Sequence, residues 1–353
     1  MSGKNSRLAI WLPVALAGCL VTGMLIGNLF KNNPGNQLPV KIFTRQDKLT
    51  SVLDFIEDNY VDSVKMDSMT ETIIPTILEK LDPHSIYIPP RELVTVNETL
   101  RGNFDGIGVQ FNMQNDTILV IQTVKGGPSE KAGLLAGDRI ISVDGVVVAG
   151  VKMPEDSIVD RLRGERGSEV KVGIYRKRTR EKLEYSLKRG IIPVSSIDVG
   201  YMINREIGYV KINTFSQTTY PEFEQALSKL KRAGCKKLII DLRGNTGGIM
   251  DPAIRIADDF LDKGKLIVYT EGHSRAREEY RATQEDNGKD IELAILIDEG
   301  SASASEIVAG AIQDNDRGWI IGRRSFGKGL VQEQAVLNDG SALRLTTARS
   351  YTP

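Results

Sequence analysis

The chain has 353 residues, too many for one ordinary domain, and 41% of them are hydrophobic, which is ample for a core. Its 46 basic and 46 acidic side chains cancel, so composition supports neither a nucleic acid nor an anionic surface as partner. Only Cys19 and Cys235 carry thiols, so no disulfide framework is implied and cysteine usage is silent about compartment.

Leu8 to Phe30 holds no charged side chain, and Lys4 and Arg7 precede it. About 20 apolar residues span a bilayer as a helix, and the flanking positive charges favour an N-terminus that stays inside. The expectation is a membrane anchor over 8–30, with 1–7 cytoplasmic and the body in the periplasm or another extracytoplasmic space. Two rival readings stand beside it. Leu16-Ala17-Gly18-Cys19 resembles a lipoprotein cleavage box, and ordinary signal cleavage would give a secreted form. The apolar run continues past Cys19, which favours the anchor. Residues 31–47 form a linker, polar and Pro/Gly-rich in KNNPGNQLP.

Residues 48–101 read as a helical segment. Leu49, Val52, Leu53, Ile56 and Tyr60 share one face of a helix over Lys48–Tyr60, and a second helix covers Met66–Leu81, where Pro75 predicts a kink or a split. Asp82-Pro83-His84-Ser85 predicts a turn in which His84 makes structural hydrogen bonds.

From Phe104 to Leu187 short strands alternate with glycines: GIGVQF, TILVIQTV, GGPSEKAGLLAGDRIISVDGVVV and EVKVGIYR. These segments resemble a PDZ domain, expected over 102–190, a module that binds an extended peptide as an added strand. The resemblance implies a groove at Gly106, Ile107, Gly108, Val109 and Phe111, with the PSEKAGL helix as its wall and Ala132 or Leu135 lining it. A substrate with an apolar C-terminal tail would fit there. The plainer alternative is a glycine-rich β domain without a ligand. Arg161 to Arg180 is basic, but interspersed Glu165 and Glu169 mark a solvated face rather than a nucleic-acid site.

Residues 191–353 alternate strand and helix. Ile207–Ile212 is a strand, Pro221–Arg232 a helix with Phe223, Ala226, Leu227 and Leu230 inward, and Lys237–Ile240 a buried strand ending in DLRGNTGG. The spacing fits neither a phosphate loop nor a dinucleotide fingerprint. An oxyanion-hole loop fits better, because glycines let backbone N–H groups come within about 3 Å of a substrate carbonyl. Asp241 and Arg243 read as an ion pair that fixes this loop. After a strand at Leu266–Tyr269, the polar stretch Glu271–Asp290, with His273, reads as an exposed excursion. A hairpin is expected around Asn338-Asp339-Gly340.

Ala294–Ile297 is an apolar strand followed by GSASASEI, which predicts a strand, a tight turn and a helix N-terminus. A serine in that turn can meet a substrate, and the helix's free N–H groups can hold an oxyanion. It needs a base, and neither His84 nor His273 lies in a catalytic motif. A buried lysine with a lowered pKa can serve. Lys328, between Gly327 and Gly329 and followed by Leu330 and Val331, suits that role, although the spacing alone also suits a surface lysine in a glycine turn. Sequence by itself does not choose among Ser301, Ser303 and Ser305.

GSASASEI…QD…R…G…SFGKG.VQ resembles the signature of the carboxyl-terminal processing (tail-specific) serine proteases. The resemblance implies Ser303 as nucleophile, Lys328 as general base and Gln332 as its orienting group. It implies an oxyanion hole from Gly247, Gly248 and the N–H of Ala304, and a structural use for the DPHS.Y turn. The implied fold is α/β, a Clp/crotonase-like ββα protease core with an inserted PDZ domain and an N-terminal helical segment. Family chains run on past the position of Pro353, so a core shortened at its C-terminus is expected. The implied activity is a serine endopeptidase that cuts protein substrates near apolar C-terminal tails, with membrane attachment, a possible homodimer and no nucleic acid. No metal or organic cofactor is expected, since HExxH, Cys–His clusters and acidic calcium loops are missing from the sequence. The competing functions are a catalytically silent PDZ scaffold and acyl-CoA chemistry on a related fold.

Overall fold

The computed structural model describes residues 48–283 and 288–353; the expected anchor and linker lie outside the described residues. Among the described residues no helix is long and apolar enough to cross a membrane. The chain divides into two units, Met1–Thr72 and Ile73–Pro353.

In the first unit α1 spans Lys48–Asn59 and buries none of its residues. Helix α2, Met66–Glu79, begins in the first unit and ends in the second, and runs on through Pro75 as one helix rather than two. The proline removes one N–H donor there without ending the helix.

The second unit opens with β1 (Ile86–Ile88), α3 (Pro90–Arg101) and β2 (Asn103–Gly106). An antiparallel module follows: β3 (Val109–Met113), β4 (Ile118–Thr123), α4 (Pro128–Ala132), β5 (Asp138–Val143), β6 (Val146–Val147), α5 (Glu155–Leu162), β7 (Glu169–Arg176) and β8 (Glu181–Lys188). Its sheet runs β3-β4-β5-β7-β8, with β6 added to β5. Alternation along the strands sends Ile118, Val120, Ile140, Val172 and Ile174 into one core, capped by Ile158 and Leu162 of α5. Buried Asp138 is held by Arg176 through two hydrogen bonds of 2.8 and 2.7 Å. The entry strand β2 pairs antiparallel with the exit strand β9 (Gly190–Pro193), so the module leaves the chain through a two-stranded ribbon.

The remaining elements are β10 (Ile197–Met202), β11 (Ile207–Ile212), α6 (Thr219–Arg232), β12 (Lys237–Asp241), α7 (Met250–Asp258), β13 (Leu266–Gly272), β14 (Arg275–Arg281), β15 (Glu292–Ile297), α8 (Ala304–Asp314), β16 (Trp319–Gly322), β17 (Leu330–Val336) and β18 (Ala342–Tyr351). One sheet runs β10-β11-β12-β15-β16, parallel from β11 onward. Its strands β12 and β15 are apolar on both faces because helices cover them. Phe223 of α6 meets Phe260 edge-on at 6.1 Å, at the centre of the core that Ile240, Ile295 and Val308 also enter. The second sheet is organised on β18, which pairs β17 along one edge and β1 and β13 along the other.

One expectation is corrected here. The polar stretch from Glu271 is not an excursion: β14 pairs with β13 as a hairpin. Its exposed side chains form charged pairs, Glu279 with Arg277 and Arg281 at 2.8 and 2.7 Å. A strand polar on nearly every position carries no hydrophobic alternation to read.

Phe223→Ala is expected to destabilise the core by about 3–5 kcal/mol, whereas Trp319→Ala, at a side chain 78% exposed, should stay within ~0.5 kcal/mol. Denaturant midpoints of the two variants check the contrast.

Candidate active site

Strands β12 and β15 are parallel neighbours, so the loops that leave their carboxyl ends meet. Asp298 ties them together: its Oδ1 accepts the N–H of Gly244 at 2.8 Å and that of Gly300 at 3.0 Å. Two of the three serines serve the same union. Ser301 donates its hydroxyl to Leu242 O and Ser305 donates to Asn245 O, each at 2.9 Å, and both side chains are buried. Ser303 differs. It is half-buried, caps the N-terminus of α8 with φ +54° and ψ −112°, and lines a cleft of about 530 Å³. Serine rarely adopts that backbone region, and holding it there costs about 1–3 kcal/mol.

The glycines of DLRGNTGG lie against this turn. A Cβ on Gly247 would stand 2.8 Å from Ser303 Cβ, and one on Gly248 would stand 2.0 Å from Phe215 O. The N–H of Gly247 is already donated to Asn245 Oδ1 at 2.9 Å. Phe215 N–H donates to Gly247 O and Ile249 N–H to Phe215 O, a parallel bridge that leaves the N–H of Gly248 facing away from Phe215. Among the described residues no hydrogen bond takes the N–H of Gly248 or of Ala304. Those two, rather than Gly247, are the open donors beside Ser303.

Behind the loop, burial pushes Asp241 up, but the Arg243 guanidinium, the Tyr209 hydroxyl and the Arg243 N–H outweigh it. Together they hold its carboxyl well below the ordinary range. Burial and the Asp241 carboxylate in turn push Tyr209 up to about 12. The expected Asp241–Arg243 ion pair is present at 2.7 Å.

Lys328 lines the same cleft as Ser303. The two are tied through their main chains by one side chain, Glu306. Its Oε2 accepts the N–H of Ser303 and that of Lys328, each at 2.8 Å, while its Oε1 accepts Gly327 N–H at 2.6 Å and Ser325 Oγ at 2.7 Å. Lys328 Nζ donates to Gln332 Oε1 at 3.2 Å, and Gln332 Nε2 donates to the carbonyl of His84. No hydrogen bond joins Lys328 Nζ to Ser303 Oγ among the described residues. The His84 carbonyl is placed by Asp82, whose carboxylate accepts His84 N–H, Ser85 N–H and Ser85 Oγ at 2.6–2.8 Å and Thr346 Oγ1 at 3.3 Å. Burial, then the charge of Arg344, lowers the pKa of Lys328, and the Asp82 carboxylate opposes them; the net shift is downward.

The sequence matches the "Peptidase family S41" model over residues 206–353 and the "PDZ domain" model over residues 106–187. A "Probable CtpA-like serine protease" from Staphylococcus aureus is 32% identical across the whole chain and 71% of that protein. "Carboxy-terminal processing protease CtpA" from Bacillus subtilis is 35% identical over 87% of the chain and 65% of its own length. Among solved structures, a "photosystem II D1 C-terminal processing protease" shares 28% identity, covering 88% of this chain and 89% of that one, with a TM-score of 0.48. The chain belongs to the S41 peptidase family. It is a serine peptidase of the CtpA-like type and carries a PDZ domain.

In this peptidase Gly106, Ile107, Gly108, Val109 and Phe111 line one pocket of about 90 Å³ in the PDZ domain. The wall opposite them is α5, through Val159 and Leu162, and not the PSEKA helix. Ala132 packs against the module's core, and Leu135 lines a separate cavity beside Leu119 and Arg139. Ala132 and Leu135 therefore do not line this pocket, whereas Val159 and Leu162 of α5 do. Sequence reading also passed over Glu306, Asp82 and Arg344. Glu306 was visible only as the fourth residue of the capping-box pattern Ser303-x-x-Glu306.

Glu306→Gln swaps one acceptor oxygen for an amide that faces N–H donors. A misplacement of that kind should lower kcat by about 10²-fold with little change in KM. Steady-state kinetics below the melting temperature test this; a residue that only capped α8 would leave kcat unchanged.

Proposed function

We propose that Ser303 is the nucleophile, Lys328 the general base and Gln332 its orienting partner, in a peptidase that cuts proteins near their C-termini. The observation that carries this reading is Glu306, whose carboxylate holds the backbones of both Ser303 and Lys328 at one cleft. Neutral Lys328 takes the Ser303 proton as Oγ attacks the scissile carbonyl, and the N–H groups of Gly248 and Ala304 receive the oxyanion. The lysine then gives its proton to the leaving amine, and water, deprotonated by the same lysine, releases the acyl group. In the arrangement described, Nζ rests on Gln332; a short movement towards Ser303 accompanies substrate binding, as apo sites commonly tighten.

The PDZ domain supports a tail-capturing role. Among the described residues strand β3 pairs only with β4, so its other edge is open there beside the pocket lined by α5, and an extended peptide can join it as a strand. An apolar tail suits Ile107, Val109, Phe111, Val159 and Leu162. Residues 8–30 are proposed to anchor the protein, with the peptidase in the extracytoplasmic space.

The test is cleavage of an unfolded protein with an apolar C-terminal tail, read by mass spectrometry. The parent should cut, and Ser303→Ala and Lys328→Ala should each lose at least about 10³-fold. Cleavage that survives Ser303→Ala would remove the assignment, and tail binding without any cleavage would point to the scaffold.

The base must be neutral, so kcat/KM should rise with pH through a single ionisation below the ordinary lysine value of 10.5. Asp82 holds the Lys328 proton on, so Asp82→Asn should move that rise to lower pH. A pH series on both proteins checks the sign.

A further inference from the structure

Arg344 lies on β18, two residues from Thr346, and lines the cleft that holds Ser303 and Lys328. Among the described residues the cleft lining contains no carboxylate, and Lys328 and Arg344 are its only charged residues. Arg344 is half-buried, and among the described residues its guanidinium forms no ion pair. Its one hydrogen bond runs from Nη2 to the neutral Gln334 Oε1 at 3.1 Å.

Most other partly buried arginines are matched; among the described residues Arg139, which lies outside this cleft, is the exception, donating to Gln114 Oε1 at 2.8 Å. Arg176 has Asp138 and Arg163 has Glu98. Arg317 donates to the carbonyls of Phe260, Gly288, Lys289 and Ile291. The carboxylate of Asp82, which does act on Lys328, is taken up by His84, Ser85 and Thr346. Burial lowers the pKa of Arg344, and no neighbouring acid opposes it. A guanidinium cannot escape burial by losing its proton, and of its five donors only one bonds an acceptor among the described residues. A cation kept in that state beside reacting groups marks a place for an anion.

We propose that Arg344 is a carboxylate-binding subsite of the cleavage cleft, its guanidinium taking a carboxylate of the bound protein substrate. Two carboxylates of a polypeptide have the right chemistry, the free C-terminus and an Asp or Glu side chain, and the fork can bind either through paired hydrogen bonds. The subsite rests on the reading of Ser303 and Lys328 as the cleaving pair, because that reading makes the cleft the place where substrate lies. It also adds a consequence for Lys328. A carboxylate on Arg344 neutralises the charge that helps keep Lys328 unprotonated, so substrate binding raises the lysine's hold on a proton. That opposes the first proton abstraction and steadies the protonated lysine formed by it until the leaving amine takes the proton.

The experiment is a cycle on the full chain. Peptides ending in a free carboxylate, their C-terminal amides, and versions with single Glu→Gln or Asp→Asn changes are bound to Ser303→Ala and to Ser303→Ala/Arg344→Gln, with Kd from fluorescence anisotropy. Removing the recognised carboxylate should weaken binding to the first protein by about tenfold or more beyond its effect on the second. Ser303→Ala/Arg344→Lys should keep part of that difference. The PDZ domain's own preference for a free C-terminus is common to all these proteins and cancels. The amide arm and the side-chain arm identify which carboxylate is read. Equal penalties in the presence and absence of Arg344, within about twofold in every arm, would overturn the subsite. The same peptides are then given to the parent and to Arg344→Gln for turnover. A preserved binding cycle without any Ser303-dependent cleavage would leave the subsite standing and remove the Ser–Lys reading instead.

Discussion

The geometry of the candidate site depends on one carboxylate. Glu306 sits in the first turn of α8 and collects N–H donors from Ser303, Gly327 and Lys328 and the hydroxyl of Ser325. Without an acceptor there, three backbone donors of two loops would be left unsatisfied close to the cleft, a cost of about 1–3 kcal/mol for each buried one. The same bonds set where Ser303 and Lys328 stand, although 25 residues separate them in the numbering. Charge helps: a carboxylate belongs at a helix N-terminus, where the peptide dipoles favour it.

Around that anchor the loops are fastened from behind rather than from the cleft. Ser301 and Ser305 give their hydroxyls to the carbonyls of Leu242 and Asn245, and Asp298 bridges Gly244 and Gly300. Gly247 spends its N–H on Asn245, which leaves Gly248 and Ala304 with donors to offer. The positive φ at Ser303 sits between Ser301 and Ser305, each bonded to the neighbouring loop, which holds the turn in place. The lysine side is arranged in the same way, from the Asp82 turn through the His84 carbonyl to Gln332 and then Nζ. Arg344 and Asp82 act on Lys328 with opposite signs, so how readily it gives up its proton is a balance between burial, a cation and an anion.

What sequence could reveal followed the range of the signal. The strand, turn and helix around Ser303 were legible because an apolar run, small residues and helical periodicity lie side by side. The close approach of Gly247 and Gly248 was legible because only glycine fits positive φ against another backbone. The pocket beside β3 takes Val159 and Leu162 rather than the PSEKA helix expected there, since both helices present apolar positions and only packing decides which one lines it. Strand β14 was missed because exposed charged pairs hide its alternation. The second use of Glu306 was missed because the capping pattern accounts for Ser303 and says nothing of a loop some 20 residues later.

By itself, then, the sequence determined the α/β class through its alternation of strand and helix, and its motifs, through their resemblance to a known family, the inserted PDZ domain. The serine-rich turn and the glycine-flanked lysine were legible as candidates because residue type and local pattern mark them. Tertiary structure alone decided that Ser301 and Ser305 are consumed in loop bonds while Ser303 opens on the cleft. It also decided which glycine keeps an open N–H among the described residues, and that an arginine from β18 stands beside Lys328 with no ion pair among them. These outcomes turn on distances between segments far apart in the chain, and a hydrogen bond or an unmet charge exists only once those segments are packed together.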